Sequence, residues 1–159
     1  MKPGHIVNLL HQLETRRPVT VLGGAVIDVI ASAYSLPFRG CDIELKQQSV
    51  NIGGCGLNIA VALHRLGMIS QNVLPVGHGV WADMVSNALK THGVESVLKV
   101  EGGDNGWCLA LVEPDGERTF MTFSGVETRW ATSWLTPLHV PPGSLLSLSG
   151  YQLAAACGE

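Results

Sequence analysis

The run Val19-Thr20-Val21-Leu22-Gly23-Gly24-Ala25-Val26-Ile27-Asp28-Val29-Ile30 is apolar at almost every position and rich in β-branched residues. A strand with one wet face alternates apolar and polar side chains. A run without that alternation has to be covered on both faces, as the strands of a parallel sheet are. It reads as a buried first strand that closes with a carboxylate. The covering helices are also in the sequence. Leu57 to Leu66 holds good helix formers and stops at Gly67, and Trp81, Met84, Val85, Ala88 and Leu89 fall on one helical face before Gly93. Further strands are predicted at Val73–Val76, Ser96–Val100 and Ser144–Ser149. Trp107–Val112 and Arg118–Phe123 flank Glu113-Pro114-Asp115-Gly116, a hairpin signal. Residues 32–52, with Pro37, Gly40 and short alternating stretches, read as exposed strands and turns. Ile6, Leu9, Leu10 and Leu13 predict a short amphipathic helix over 5–14, and residues 130–138 hold room for one helical turn. Strands alternating with helices make this an α/β chain with a mostly parallel sheet flanked by helices. The 32–52 insert and the hairpin are additions on one side of it.

Composition narrows the function classes. At 159 residues the chain is one domain of ordinary size. With 46% hydrophobic and 14% charged residues it is not a disordered chain. Its net charge of −3 offers no basic footprint for nucleic acid. No stretch reaches the ~20 apolar residues of a membrane span, and the N-terminus lacks the apolar core of a signal peptide. Cys41, Cys55, Cys108 and Cys157 form no CxxC pair and have no histidine at zinc-ligand spacing, so no metal site is expected. They are expected to be reduced thiols of a cytoplasmic protein. The six histidines show no triad or metal spacing. The mean hydropathy of +0.25 is high for a soluble domain. It goes with an ending in which a strand has just closed and a helix is starting at Tyr151, leaving a sheet edge unpaired. The expectation is that residues 1–159 form the N-terminal part of a single larger domain whose C-terminal half is missing.

Chemistry concentrates in Asn51-Ile52-Gly53-Gly54-Cys55-Gly56-Leu57-Asn58. Glycines ahead of a helix let backbone N–H groups approach a ligand, and the helix start adds its positive end. Asn58, one turn in, both donates and accepts hydrogen bonds. The same pattern also serves as a tight turn with close packing. It matches neither G-x-G-x-x-G nor G-x-x-x-x-G-K-[ST], so neither a dinucleotide fold nor a P-loop is supported. Asp28, at the end of a buried strand, occupies the position where open α/β sheets hold ligands, and equally the position of a turn cap.

Together, Leu22-Gly23-Gly24-Ala25-Val26-Ile27-Asp28, the exposed insert, Gly53-Gly54-Cys55-Gly56-Leu57-Asn58-Ile59-Ala60 and Leu66-Gly67 resemble the start of a ribokinase-like (PfkB-family) carbohydrate kinase. Val76-Gly77 with the helix ending at Gly93-Val94 is similar to the next β-α unit. Gly106 to Val112 with Asp115-Gly116-Glu117-Arg118-Thr119 resembles the family's lid hairpin. The resemblance runs from about Val19 to Tyr151. It implies transfer of the ATP γ-phosphate to a hydroxyl of a sugar or nucleoside, with ATP and Mg2+ used by the full-length parent and neither bound by this chain alone. It also implies substrate binding by Asp28, Gly53, Gly54 and Asn58, lid segments at about 29–52 and 105–124, and a possible homodimer through lid strands. Trp107 is placed on the lid as a residue that packs on the sugar ring. Val26 stands where relatives often carry a polar residue, and His78-Gly79 where an acidic pair often follows the glycine. The family's Gly-Ala-Gly-Asp turn, which carries the base and holds the developing phosphate charge, is absent, and so is its Asn-x-x-Glu element. No catalytic residue is therefore expected in this chain. The competing readings are a non-catalytic sugar-binding domain and an inactive truncated product.

Overall fold

A computed structural model describes residues 17–156. The helix predicted over 5–14 and Cys157 lie outside the described residues. Two sheets organise the chain. The central sheet has the order β4-β1-β7, all parallel, with β1 at Val19–Leu22, β4 at Ser70–Val73 and β7 at Leu145–Leu148. The second sheet has the order β3-β2-β5-β6, with β2 at Val26–Ser32, β3 at Lys46–Gly53, β5 at Trp107–Val112 and β6 at Arg118–Phe123. There β2 and β5 run parallel, and the outer pairs are antiparallel. Helix α1 (Cys55–Arg65) and helix α2 (Val80–Thr91) bury their apolar faces, including Leu57, Ala60, Ala82, Val85 and Leu89, against Ala25, Ile27, Leu74 and Val76. A short α3 (Thr132–Leu135) and α4 (Gly150–Ala156) flank β7 in sequence.

The predicted first strand is two strands. Residues 23–25 break the apolar run, so β1 enters the central sheet and β2 enters the second. The reason is a close approach that no side chain survives: a Cβ on Gly23 would stand 2.5 Å from Gly56 Cα. Asp28 is consequently not at the end of the first strand but the third residue of β2. The second sheet begins at Val26, three residues ahead of the expected lid boundary.

Two other strands move. The one expected at Val73–Val76 forms at Ser70–Val73, and Val76 makes only an isolated bridge to Lys99. The one expected at Ser96–Val100 is reduced to bridges at Ser96 and Lys99. Its ladder is interrupted because the Ser96 hydroxyl takes both backbone groups of Leu74: it accepts from the Leu74 N–H at 3.0 Å and donates to the Leu74 carbonyl at 2.6 Å. The hairpin forms as the Pro-Asp-Gly signal predicts. The Gly116 N–H bonds the Glu113 carbonyl, and β5 and β6 pair in register from Trp107–Phe123 to Val112–Arg118.

Candidate substrate-binding face

The glycine turn is built by packing against the β1–β2 turn. Gly54 has φ 103°, a conformation closed to most side chains, and a Cβ there would stand 2.5 Å from the Gly24 carbonyl oxygen. The Leu57 N–H donates to that same carbonyl at 3.3 Å. The start of α1 is thereby clamped onto the strand junction that leads to Asp28. A Cβ on Gly53 would collide with the Asp28 carboxylate, so the carboxylate lies directly over the Gly53 backbone.

Asp28 is half-buried, and burial raises its pKa above the ordinary 3.8. Among the described residues it has no hydrogen-bond or ion-pair partner. A partly desolvated carboxylate that bonds none of the described residues is suited to a ligand that brings hydroxyl donors. Asn58 lies one helical turn beyond Gly54, its N–H donating to the Gly54 carbonyl at 3.0 Å. It is exposed, and its side chain bonds to none of the described residues. The structure thus brings Asp28, Gly53, Gly54 and Asn58 to one junction.

Trp107 is not with them. The register pairs Trp107 with Ile27 and Cys108 with Asp28, and successive strand residues face opposite ways. Trp107 therefore shares the face of Ile27, which packs on the core. There its ring stacks on Phe123 (centroids 4.5 Å apart, planes 9° apart) and on Trp81 (5.9 Å, 30°). The hairpin residues level with Asp28 on its face are Cys108, buried, and its partner Thr122, whose hydroxyl contacts the Cys108 sulfur at 3.3 Å. Neither was singled out from sequence. Once register is known, both follow from the period of two along each strand. An open hollow of about 250 Å3, lined by His64, Ser70, Asn72 and Glu95, lies at the other end of α1, away from Asp28.

At the base of the second sheet, Asp104, Asn105 and Glu127 are polar side chains bonded to backbone groups. Asp104 accepts from the N–H groups of Trp81 (3.1 Å) and Ala82 (2.6 Å), holding the start of α2. Cys41, Cys55 and Cys108 are free thiols. No three His, Cys, Asp or Glu side chains converge among the described residues as a metal ion would require. No helix among them is long and apolar enough to cross a membrane.

The description of pfkB family carbohydrate kinases matches residues 16–157. The chain is 64% identical over its whole length to an uncharacterized sugar kinase, YegV, of Escherichia coli, covering 50% of that protein. It is 32% identical over 101 residues, 63% of the chain, to acarbose 7(IV)-phosphotransferase of an Actinoplanes species, covering 34% of it. Among solved structures, a ribokinase from Cryptococcus neoformans in complex with ADP superimposes with a TM-score of 0.69 at 21% identity, over 88% of this chain and 43% of that one. A ribokinase from Giardia lamblia gives 0.64 at 20% identity, over 77% and 37%. The chain spans half or less of the length of the curated relatives it matches.

Proposed function

The chain belongs to the pfkB family of carbohydrate kinases, and from that premise we propose that it is the substrate-binding half of an ATP-dependent kinase acting on a hydroxyl of a small sugar or nucleoside. The observation that carries this reading is Asp28, a half-buried carboxylate with no partner among the described residues, lying over Gly53 beside the first turn of α1. In this reading adjacent hydroxyls donate to Asp28, and Asn58 adds a donor and an acceptor. The backbone at Gly53 and Gly54 sets the distance of closest approach. The second sheet is the lid, with Cys108 and Thr122 on its substrate-facing side and Trp107 as part of its packed back.

The groups present do not fit the remaining requirements of phosphoryl transfer. The sequence holds no Gly-Ala-Gly-Asp turn to supply base and anion site. No step through ATP or Mg2+ is therefore built on these residues, and the chain by itself is expected to bind substrate without turning it over. The proposal extends to a cytoplasmic protein, in keeping with the free thiols. It also extends to a homodimer through the lid: β6 is an edge strand, and Phe120 and Phe123 on it are 61% and 57% exposed.

Thermal-shift titration against pentoses, hexoses, nucleosides and ATP, each with and without Mg2+, tests the reading. Stabilisation by one class of sugar or nucleoside, without response to ATP, is the expected result. No stabilisation by any sugar or nucleoside would contradict it.

A further inference from the structure

The lid sheet leaves the rest of the chain at four places: Ala25–Val26, Gly53–Gly54, Gly106–Trp107 and Phe123–Gly125. Two buried polar side chains tie three of them. Glu127, 4% exposed, follows β6 in a 3-10 turn at Val126–Thr128. One of its oxygens accepts from the Gly106 N–H at 2.8 Å and the other from the Gly125 N–H at 2.9 Å. The roots of β5 and β6 are thus bridged by a single carboxylate. Asn105, 2% exposed, donates to the carbonyls of Ala25 (3.2 Å) and Pro75 (3.0 Å) and accepts from the Gly77 N–H (3.0 Å). That fixes the root of β2 to the central layer. The stem of Glu127 also packs on Gly24: a Cβ there would stand 3.2 Å from Glu127 Cγ. Gly24 is the residue whose carbonyl receives the Leu57 N–H at the start of α1. One buried side chain therefore touches the root of the hairpin and the turn that links Asp28 to the glycine turn.

We propose that Glu127 is a positioning residue, which fixes the angle of the lid sheet and with it the separation of Asp28 from Asn58. Backbone N–H groups bonded to a carboxylate are held more strongly than by a neutral acceptor. Replacing one carboxylate oxygen by an amide NH2 sets a donor against a donor at one of the two roots. The rest of the fold keeps its contacts, because Glu127 contributes nothing to the apolar cluster around Ile27, Leu57 and Leu74. The consequence for sugar affinity rests on the proposed function; the consequence for the hinge does not.

Residue-resolved hydrogen exchange on the wild type, Glu127→Gln and Val85→Ala separates the two. Val85 is fully buried on α2 and lies outside the Glu127 hydrogen bonds to Gly106 and Gly125, so its truncation lowers overall stability while leaving those two bonds in place. In Glu127→Gln, exchange at the Gly106 and Gly125 amides is expected to rise at least about tenfold relative to the amides of β1, while Val85→Ala leaves that ratio unchanged. The dissociation constant of a sugar bound by the wild type is expected to rise at least about fivefold in Glu127→Gln. An unchanged ratio at Gly106 and Gly125, whether nothing changes or every amide speeds up together, overturns the proposal. If Glu127→Gln does not fold, Glu127→Asp, which retains the charge but reaches only one root, carries the same comparison. If no sugar binds the wild type, the functional reading fails while the exchange arm still decides the hinge.

Discussion

The two sheets solve different problems with similar residues. In the central sheet β1 is buried at every position, and it carries no side chain free for chemistry. In the lid sheet β2 buries only Ile27 and Ala31, and its other positions are half-exposed. That half-exposure is what allows Asp28 to keep a carboxylate that bonds none of the described residues. A strand covered on both faces cannot afford an unpaired charge, whereas a strand with one open face can. The central sheet is itself uneven. Leu145, Leu146 and Leu148 of β7 are 46%, 61% and 40% exposed, and Tyr151 and Leu153 beyond it are open as well, in sharp contrast with neighbouring β1. Burial is most complete at β1, and the candidate ligand contacts are joined to it through glycines and a buried carboxylate.

The contrast breaks first at the junction. Gly56→Val would drive a side chain into the Gly23 backbone, where even a Cβ would stand 2.7 Å from Gly23 Cα. A loss of about 3 kcal/mol or more is expected, read as the fall in the urea midpoint. Next is the back of the lid. Trp107→Ala removes the middle of the Trp81–Trp107–Phe123 stack. It is expected to cost about 3 kcal/mol of stability, and a variant that lost sugar affinity at unchanged stability would put Trp107 on the wrong face. Asp28→Asn should do the reverse. Sugar affinity is expected to fall by about 2 kcal/mol in calorimetry, roughly thirtyfold, through the lost charged acceptor. Stability should hold or rise.

The pH dependence sharpens that same opposition. Because burial raises the Asp28 pKa, the folded chain holds its proton more tightly than the unfolded one. The contribution of Asp28 to stability is therefore fully present below its ordinary pKa of 3.8 and is lost as pH rises through the higher folded value. Denaturation midpoints of wild type and Asp28→Asn measured from pH 3 to 7 should diverge in favour of the variant as pH increases. The smallest effect is expected at Asn58, which is exposed and bonded to none of the described side chains. Asn58→Ala should weaken sugar binding by about 1 kcal/mol and leave the melting temperature within a degree or so.

What sequence reveals here follows the range of the signal. The hairpin and both long helices are legible because Pro-Asp-Gly and the apolar spacing around Trp81 to Leu89 act locally. The family resemblance, the α/β class and the gathering of Asp28, Gly53, Gly54 and Asn58 also follow from it. The division at Gly23-Gly24 is not legible, because two glycines in an apolar run look the same whether the chain continues or turns. Contact with Gly56, far along the chain, decides it. The face of Trp107 is hidden for a similar reason. An aromatic residue on a lid strand belongs to the ligand or to the core according to a register set by Ile27 and Asp28. Ser96 shows a third kind of failure, in which a side-chain hydroxyl replaces a rung of the ladder that the apolar pattern predicts.

Calorimetric titration of the wild type and Asp28→Asn with the sugar that stabilises the chain most tests the central claim most directly. The account expects measurable binding to the wild type and at least about a tenfold weaker constant for Asp28→Asn, with a melting temperature no lower. Equal affinity in the two chains would show that the sugar is held elsewhere and that the Asp28 face is not the substrate site.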